Sequence, residues 1–204
     1  MITDNKINAN FLSYINKLKK YNCYSDSMID ALGDKLRDCP FSVSEASGGA
    51  YKGGCLDIVL NSLCTNAYRI NETAFGGETQ SRLRVNLQML MRVLLLQHIS
   101  KCELYTQETE QWRINKGYLF TFNDSLPSKL KLGERSAYLC QKYGIQLNEV
   151  EYEAIVSIDK IGEETKYDAF VSPLCAMTKA ANLFTGVETR VKYTLNQKKE
   201  TKEL

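Results

Sequence analysis

The chain contains a single histidine, and its position is the first indication of where chemistry could occur. His98 follows Gln97 at the end of an apolar segment, Asn86–Lys101, which reads NLQMLMRVLLLQHISK. Apolar residues recur there at helical spacing and cover most of the circumference, which predicts a helix in the protein interior. An imidazole at the end of such a helix could bind a metal ion or transfer a proton. A hydrogen-bonded structural histidine is the commoner outcome.

A glycine-rich loop is the second candidate site. Gly48, Gly49, Gly53 and Gly54 lie in the segment FSVSEASGGAYKGG, and glycine-rich loops can bind phosphate through backbone amides. This loop lacks the GxxxxGK[ST] spacing of a P-loop. Close packing of the next helix is therefore the preferred interpretation. A Cys-His nucleophilic pair is disfavoured too, because no oxyanion site or orienting third residue can be identified.

Composition limits the function classes only weakly. The 204 residues fit one domain of ordinary size, and a formal net charge of +2 gives no field that would indicate nucleic acid or a membrane surface. The seven cysteines are dispersed, odd in number and without a CxxC pair, which predicts reduced thiols rather than disulfides or a zinc site. With no signal-like start and no apolar run long enough to span a bilayer, we expect a reducing, cytosol-like location.

The elements that would position these residues are mainly helices. An amphipathic helix around Phe11–Leu18 is followed by one over Ser25–Arg37, with Ser25 or Asp26 as N-cap, and Cys39-Pro40 ends it. Further helices are expected over Cys55–Ile70, from near Ser81 through the central segment, over Leu132–Tyr143, over Glu149–Ile158 with Asn148 as a candidate cap, and from Pro173 with Ser172 as cap.

One small sheet and one charged tail complete the prediction. Alternating apolar residues around Asn115-Lys116-Gly117 predict a β-hairpin near residues 111–122. In the last helix we expect a buried face that packs against the central helix and comprises Leu174, Met177, Ala181 and Phe184. The tail NQKKETKEL, residues 196–204, is expected to fray. The fold class predicted is mainly α, with a single helical domain over residues 1–195.

Four separated stretches, in order over roughly residues 40–190, resemble the HD-domain metal-dependent phosphohydrolases, particularly compact bacteriophage and bacterial versions. AYKGGCLDIVLNS resembles the family segment YHxAYxGGLLEHSL, and LLQHISK resembles LLHDIGK. GERSAYLCQKYGIQLNEVEYEAI is similar to GERSLYLLQKY and the helix after it, and SPLCAMTKAANLFTGVE to PLxxLLxxADxLAxxxE. The resemblance implies a single HD-like helical domain.

The resemblance also implies that the metal ligands have been replaced. The two loop and helix histidines correspond to Gly48 and Ile58, the His-Asp pair to Gln97 and His98, and the closing aspartate to Asn182. Neutral amides are weak ligands for a dication, so we expect no catalytic residues, no bound metal and no cofactor. Only the acidic residue before the second histidine is retained in type, as Asp57.

The leading hypothesis is therefore a pseudoenzyme with a structural or interaction role. The resemblance to phage proteins makes a virion component, such as a head or tail-junction ring, its most concrete version, with other protein subunits or its own copies as partners. Otherwise the protein would lie in the host cytoplasm. Candidate contact aromatics are Tyr21, Tyr24, Trp112, Tyr118, Phe120 and Phe122.

Two enzymatic or ligand-binding alternatives stay open. The first is a regulatory module that binds a nucleotide without hydrolysing it, with Lys52, Lys101 and Arg135 contacting phosphate oxygens. The second is an active metal-dependent phosphohydrolase with a different ligand set, which a chain with one histidine makes hard to sustain. Nucleic-acid binding is not indicated, because neither a basic stripe nor a recognised motif is present.

Overall fold

The structure is a computed structural model that describes residues 2–74, 84–159 and 172–200. Within these ranges the protein is mainly helical with one small antiparallel sheet, as predicted. The elements, in chain order, are α1 Asp4–Lys20, α2 Asp26–Asp38, a 3₁₀ turn Glu45–Ser47, α3 Gly54–Ile58, a π turn Val59–Leu63, α4 Cys64–Ala74, α5 Leu87–Leu96, α6 Lys101–Leu104, β1 Tyr105–Gln107, α7 Gln111–Ile114, β2 Phe120–Phe122, α8 Leu132–Lys142, α9 Glu149–Val156 and α10 Pro173–Glu200.

Local capping explains where several helices begin and end. The Ser25 hydroxyl accepts from the Met28 amide at 3.3 Å, so Ser25 is the N-cap of α2. Cys39 adopts extended geometry (φ −65°, ψ 145°) before Pro40 and ends this helix. Asn148 accepts from the Glu151 amide at 2.9 Å and caps α9. These three local predictions are confirmed.

The glycine-rich loop brings two backbone segments into close contact. Gly49 has a φ of +76°, and a Cβ there would lie 2.4 Å from Ile58 Cδ1. A Cβ on Gly54 would lie 2.3 Å from the Gly49 carbonyl oxygen. The close packing predicted for this loop is confirmed. The helix after it is not regular, however, because the π turn Val59–Leu63 separates α3 from α4.

The central helix is shorter than predicted. The Asn86 side chain caps it by accepting from the Gln88 amide at 2.8 Å. Residues 84–86 are not helical, so the predicted helix over these three residues is wrong. Residues 81–83, where the helix was expected to begin, lie outside the described residues. The helix ends at Leu96 rather than Lys101. Ser136 of α8 donates to the Gln97 carbonyl at 2.8 Å, which replaces a helical hydrogen bond with a tertiary one.

The sheet joins β1 to β2 antiparallel, with Tyr105 opposite Phe122. Residues 111–114 form the short helix α7, so the first strand lies earlier in the chain than the sequence pattern placed it. The Glu108 carboxylate accepts from the amides of Thr109 and Glu110, both at 3.0 Å, and this turn starts a helix instead of a strand. Gly117 adopts the expected positive φ, +81°.

The last helix differs from the prediction on one face. Ser172 accepts from the Cys175 amide at 3.2 Å and caps α10, as expected. Phe184 is 60% exposed rather than buried, because the inward face passes through Ala181 and Thr185 instead. The helix continues through residue 200, which includes the first five residues of the charged tail; residues 201–204 lie outside the described part.

The core surrounds α5, whose Leu90, Val93 and Leu94 are completely buried. Helices α1, α4, α8, α9 and α10 all contact it, so this helix passes through the centre of the fold. Leu87, which belongs to the apolar segment expected in the interior, is 38% exposed because it lies in the first turn. Among the described residues, no helix combines the length and apolar character needed to cross a membrane.

Candidate functional site

Three polar side chains meet where the central helix ends. His98 Nε2 lies 3.1 Å from Asn182 Oδ1 on α10. Asn182 Nδ2 in turn donates to Gln97 Oε1 at 3.1 Å and to the Thr178 carbonyl at 2.8 Å. The two acceptors around Nδ2 establish the orientation of the amide, so His98 Nε2 must carry the proton that Oδ1 accepts. We refer to Gln97, His98 and Asn182 as the amide–imidazole centre.

The surroundings keep this centre neutral. Burial holds the pKa of His98 well below its ordinary value, the Lys101 charge lowers it further, and the hydrogen bond to Asn182 opposes both only in part. The imidazole also meets the Phe41 ring edge-on, with centroids 5.0 Å apart. Gln97 and Asn182 are amides, so none of the three side chains is charged near neutral pH.

Two atoms of the centre have no protein hydrogen-bond partner within the part of the chain that the structure describes. They are His98 Nδ1 and Gln97 Nε2, and both are buried. With the proton on Nε2, Nδ1 is an acceptor, while Gln97 Nε2 is a donor. The centre therefore retains one unused acceptor and one unused donor. A neutral polar group that both donates and accepts a hydrogen bond fits these two atoms better than a metal ion does.

The other two positions implied by the resemblance, Gly48 and Ile58, lie in the wall of a neighbouring cleft of about 880 Å³. Gly48 has a φ of +78°, and a Cβ there would lie 2.7 Å from Thr189 Cβ. A histidine at this position would be strained and would collide with α10. Ile58 packs its Cδ1 against Gly49, so an apolar side chain fills the second position.

Asp57, the retained acidic residue, lies in the same cleft and is fully hydrogen-bonded. It accepts from the Tyr51 hydroxyl at 2.7 Å, from Asn61 at 2.8 Å and from Asn10 at 3.1 Å, and the Lys6 ammonium lies 3.4 Å away. Burial opposes ionisation of this carboxyl, but the hydrogen bonds outweigh it and lower the pKa. Asp57 is thus an anion that joins α1 to α3.

The three cations proposed as phosphate contacts are not brought together. Lys52 lines the cleft and is shared between Asp4 at 3.7 Å and Asp38 at 3.6 Å. Lys101 is buried and donates to the Phe41 carbonyl at 2.5 Å. Arg135 is buried and donates to the Ser128 carbonyl at 2.8 Å. Of these three cations, only Lys52 lines the cleft and could meet a ligand there.

Sequence reasoning missed a group of thiols around Lys101. The Cys55 amide donates to the Cys39 carbonyl at 3.0 Å, and the Cys39 thiol donates to the Leu36 carbonyl at 3.6 Å. Burial lowers the pKa of Lys101 to about 8, although the two thiols oppose this effect. The sequence gives no pattern that would pair these two cysteines, because they lie 16 residues apart and the glycine-rich loop between them brings them together.

Across residues 2–74, 84–159 and 172–200, no three His, Cys, Asp or Glu side chains converge on a point where a metal ion could be held. Comparisons with models of known protein families, with curated proteins and with solved structures gave no match to this chain.

Proposed function

We propose that this protein is a non-catalytic helical protein with a structural or interaction role, a pseudoenzyme of HD-like design. The observation that carries the proposal is the amide–imidazole centre. Where the resemblance implies histidine and carboxylate ligands, Gln97, His98 and Asn182 hydrogen-bond to one another at 3.1 Å. These contacts join the three side chains into one buried, neutral network, although Gln97 Nε2 and His98 Nδ1 lack partners among the described residues.

Charge supports the same conclusion. A site for one or two divalent cations needs carboxylates to offset the metal charge and imidazoles to bind it, with a position left for water. The centre offers one imidazole and two neutral amides, and the nearby Lys101 is a cation. A dication placed there would meet repulsion from the ammonium and almost no compensating negative charge.

The exposed aromatic side chains support an interaction role. Trp112 is 57% exposed, Phe122 60% and Tyr118 39%, and all three lie on or beside the sheet. Large aromatic side chains are enriched at the centres of protein interfaces. A phage virion component is the specific version of this proposal, and it rests on the resemblance to phage-encoded proteins; otherwise the protein would act in the host cytoplasm.

Elemental mass spectrometry of the purified, chelator-free protein tests the proposal, with manganese, iron, nickel and zinc supplied during expression. We expect far less than one metal ion per chain. The matched variant Asn182→Ala, which removes one member of the centre, should give the same value. A stoichiometric metal that is lost in Asn182→Ala would contradict the proposal and would call for phosphohydrolase assays.

A second candidate function is ligand binding without hydrolysis, favoured by the cleft. Its volume of about 880 Å³ lies within the usual range for small-molecule sites, and Lys6 and Lys52 both line it. Thermal stabilisation by mono-, di- or cyclic nucleotides would support this function if Lys52→Ala abolished the shift. Lys116→Ala, outside the cleft lining, is the control. A flat response across the panel would exclude nucleotides as ligands.

A further inference from the structure

Over its second part, from Ala181 onwards, α10 carries its larger apolar side chains on the side that faces away from the protein body. Its inward side presents small or hydroxylated residues, Ala181, Thr185 and Thr189, which are at most 7% exposed. Its outward side presents Leu183 (58% exposed), Val187 (54%), Val191 (51%) and Leu195 (54%). We refer to these four as the outer row. In a helix that served only its own core, this distribution would be reversed.

Buried Leu174 and Met177 anchor the first part of α10, and hydroxyl contacts on the inward side hold its second part. The Thr185 hydroxyl donates to the Ala181 carbonyl at 2.8 Å, and the Thr189 hydroxyl donates to the Ser47 carbonyl at 3.3 Å. These contacts satisfy the buried hydroxyl groups and allow the helix to lie close to the body. The outer row is therefore not needed to attach α10.

The members of the outer row repeat every four residues and form a continuous ridge. Twelve residues separate Leu183 from Leu195, which corresponds to roughly 18 Å of helix. Phe184, also 60% exposed, widens the ridge near its beginning. No charged residue belongs to the row; Arg190 flanks it. Such a ridge can pack against a similar ridge of another helix, at a crossing angle of roughly 50°.

We propose that the outer row binds the outer row of a second copy of this chain. The row has the order Leu, Val, Val, Leu, which is the same in both directions. A twofold axis between Val187 and Val191 would place Leu183 against Leu195 of the partner subunit and Val187 against Val191 of the partner subunit. Twofold interfaces require this kind of self-complementary surface, and a single row with palindromic order provides it.

The area available is enough for a dimer, though not a tight one. Five half-exposed side chains, the row and Phe184, offer roughly 100 Å² each, or roughly 1,000 Å² over two copies, which is near the lower limit for a specific interface. We therefore expect a dimer whose population depends on concentration. This inference rests on the proposed interaction role and names the partner.

Sedimentation equilibrium of the full chain, from low to high micromolar concentration, tests the inference. The wild type should shift from monomer to dimer as concentration rises. The variant Val187→Lys/Val191→Lys places four ammonium groups at the twofold axis of a dimer and should raise the dimer Kd at least about tenfold. The control is Leu12→Lys, because Leu12 is 62% exposed on α1, outside the row; it should dimerise like the wild type.

Three results would overturn the inference: a wild type that stays monomeric throughout, equal loss of dimer in the control, or a lower Tm for the double variant at concentrations where the wild type is monomeric. The last would mean that the row is covered within its own chain. Metal content measured on the same samples separates this test from that of the proposed function. A metal-free protein that stays monomeric would contradict only the proposed dimerisation. A metal-loaded protein that dimerises would contradict only the proposal that the protein is a pseudoenzyme.

Discussion

The helix α5 presents two buried polar sites that are built in opposite ways. Near its middle, Arg92 Nε lies 2.6 Å from Glu151 Oε1, and Arg92 Nη2 donates to the Gln146 carbonyl at 2.7 Å. At its end, Gln97 and His98 join Asn182 through hydrogen bonds between neutral groups. The first site is ionic and links α5 to α9 and to the loop before it, and Arg92 Nη1 also donates to the Tyr21 and Asn22 carbonyls after α1. The second is uncharged and contains two buried atoms that have no hydrogen-bond partner among the described residues.

The difference shows which polar residues hold the fold together. A buried ion pair is costly to break, because removal of one partner leaves an uncompensated charge in a low-dielectric interior. Removal of one member of a neutral network costs less, because it leaves an unpaired polar group rather than an unpaired charge. The Arg92–Glu151 pair therefore has a structural role, whereas the amide–imidazole centre is a place where residues could change without loss of the fold.

The largest effect should come from breaking the ion pair. Glu151→Gln removes the charge opposite Arg92, whose side chain is only 12% exposed, and should lower the free energy of unfolding by about 3–5 kcal/mol. Urea denaturation measures this change. Glu72→Gln, in the more exposed pair with Arg84, is the control and should cost less than about 1 kcal/mol. Equal losses of unfolding free energy in Glu151→Gln and Glu72→Gln would contradict the distinction between buried and exposed ion pairs.

A smaller loss is expected at the amide–imidazole centre. Asn182→Leu leaves His98 Nε2 and Gln97 Oε1 without partners and should cost about 1–3 kcal/mol. The triple variant Gln97→Met/His98→Leu/Asn182→Leu removes every member of the network and should be more stable than the single variant. If the triple variant is instead the least stable of the set, the centre contributes more to the fold than its neutral character suggests.

Acid should destabilise the protein through His98. Its folded pKa lies below the unfolded value of 6.5, so the unfolded chain takes up a proton that the folded chain does not. Stability therefore falls as the pH drops below 6.5, by up to about 1.4 kcal/mol per pH unit until the folded pKa is reached. Between pH 7 and 5.5 we expect a loss of about 1 kcal/mol.

His98→Gln cannot take up this proton and should show a flatter pH dependence over the same window. Other groups titrate elsewhere. The lowered pKa values of Asp38 and Asp57 act at more acidic pH, and Lys101, with a pKa near 8, acts above neutrality. An unchanged slope in His98→Gln would show that the imidazole is not the group responsible.

The smallest effect is expected for a cation at the cleft. Lys52 is more than half exposed and contacts Asp4 and Asp38 at 3.6 Å or more. Lys52→Ala should change the free energy of unfolding by less than about 1 kcal/mol, because exposed ion pairs contribute little. Denaturant unfolding measures this, and a loss as large as that of Glu151→Gln would contradict the contrast between exposed and buried pairs.

Sequence reasoning succeeded where local chemistry decides the structure. The caps at Ser25, Asn148 and Ser172, the stop at Cys39-Pro40 and the positive φ of Gly117 all depend on residues within a few positions. The mainly helical fold with one small sheet follows from such signals taken together.

Sequence reasoning failed where a residue far away in the chain determines the local structure. The end of α5 depends on Ser136, 39 residues away in the chain. The exposure of Phe184 depends on which of two mixed faces of α10 meets the body. At the candidate site, His98 meets Asn182, 84 residues away in the chain, and Lys101 and Arg135 are buried; both depend on packing that no local pattern records.

The most direct test of a neutral centre uses the fact that His98 is the chain's only histidine. The ¹⁵N chemical shifts of its imidazole, followed by NMR from pH 8 downwards in chelator-free buffer, report both tautomer and charge without interference from another histidine. We expect a neutral ring protonated at Nε2 that stays neutral well below pH 6.5 while the protein remains folded. A ring that titrates near its ordinary pKa, or a shift on addition of a divalent metal, would contradict the account.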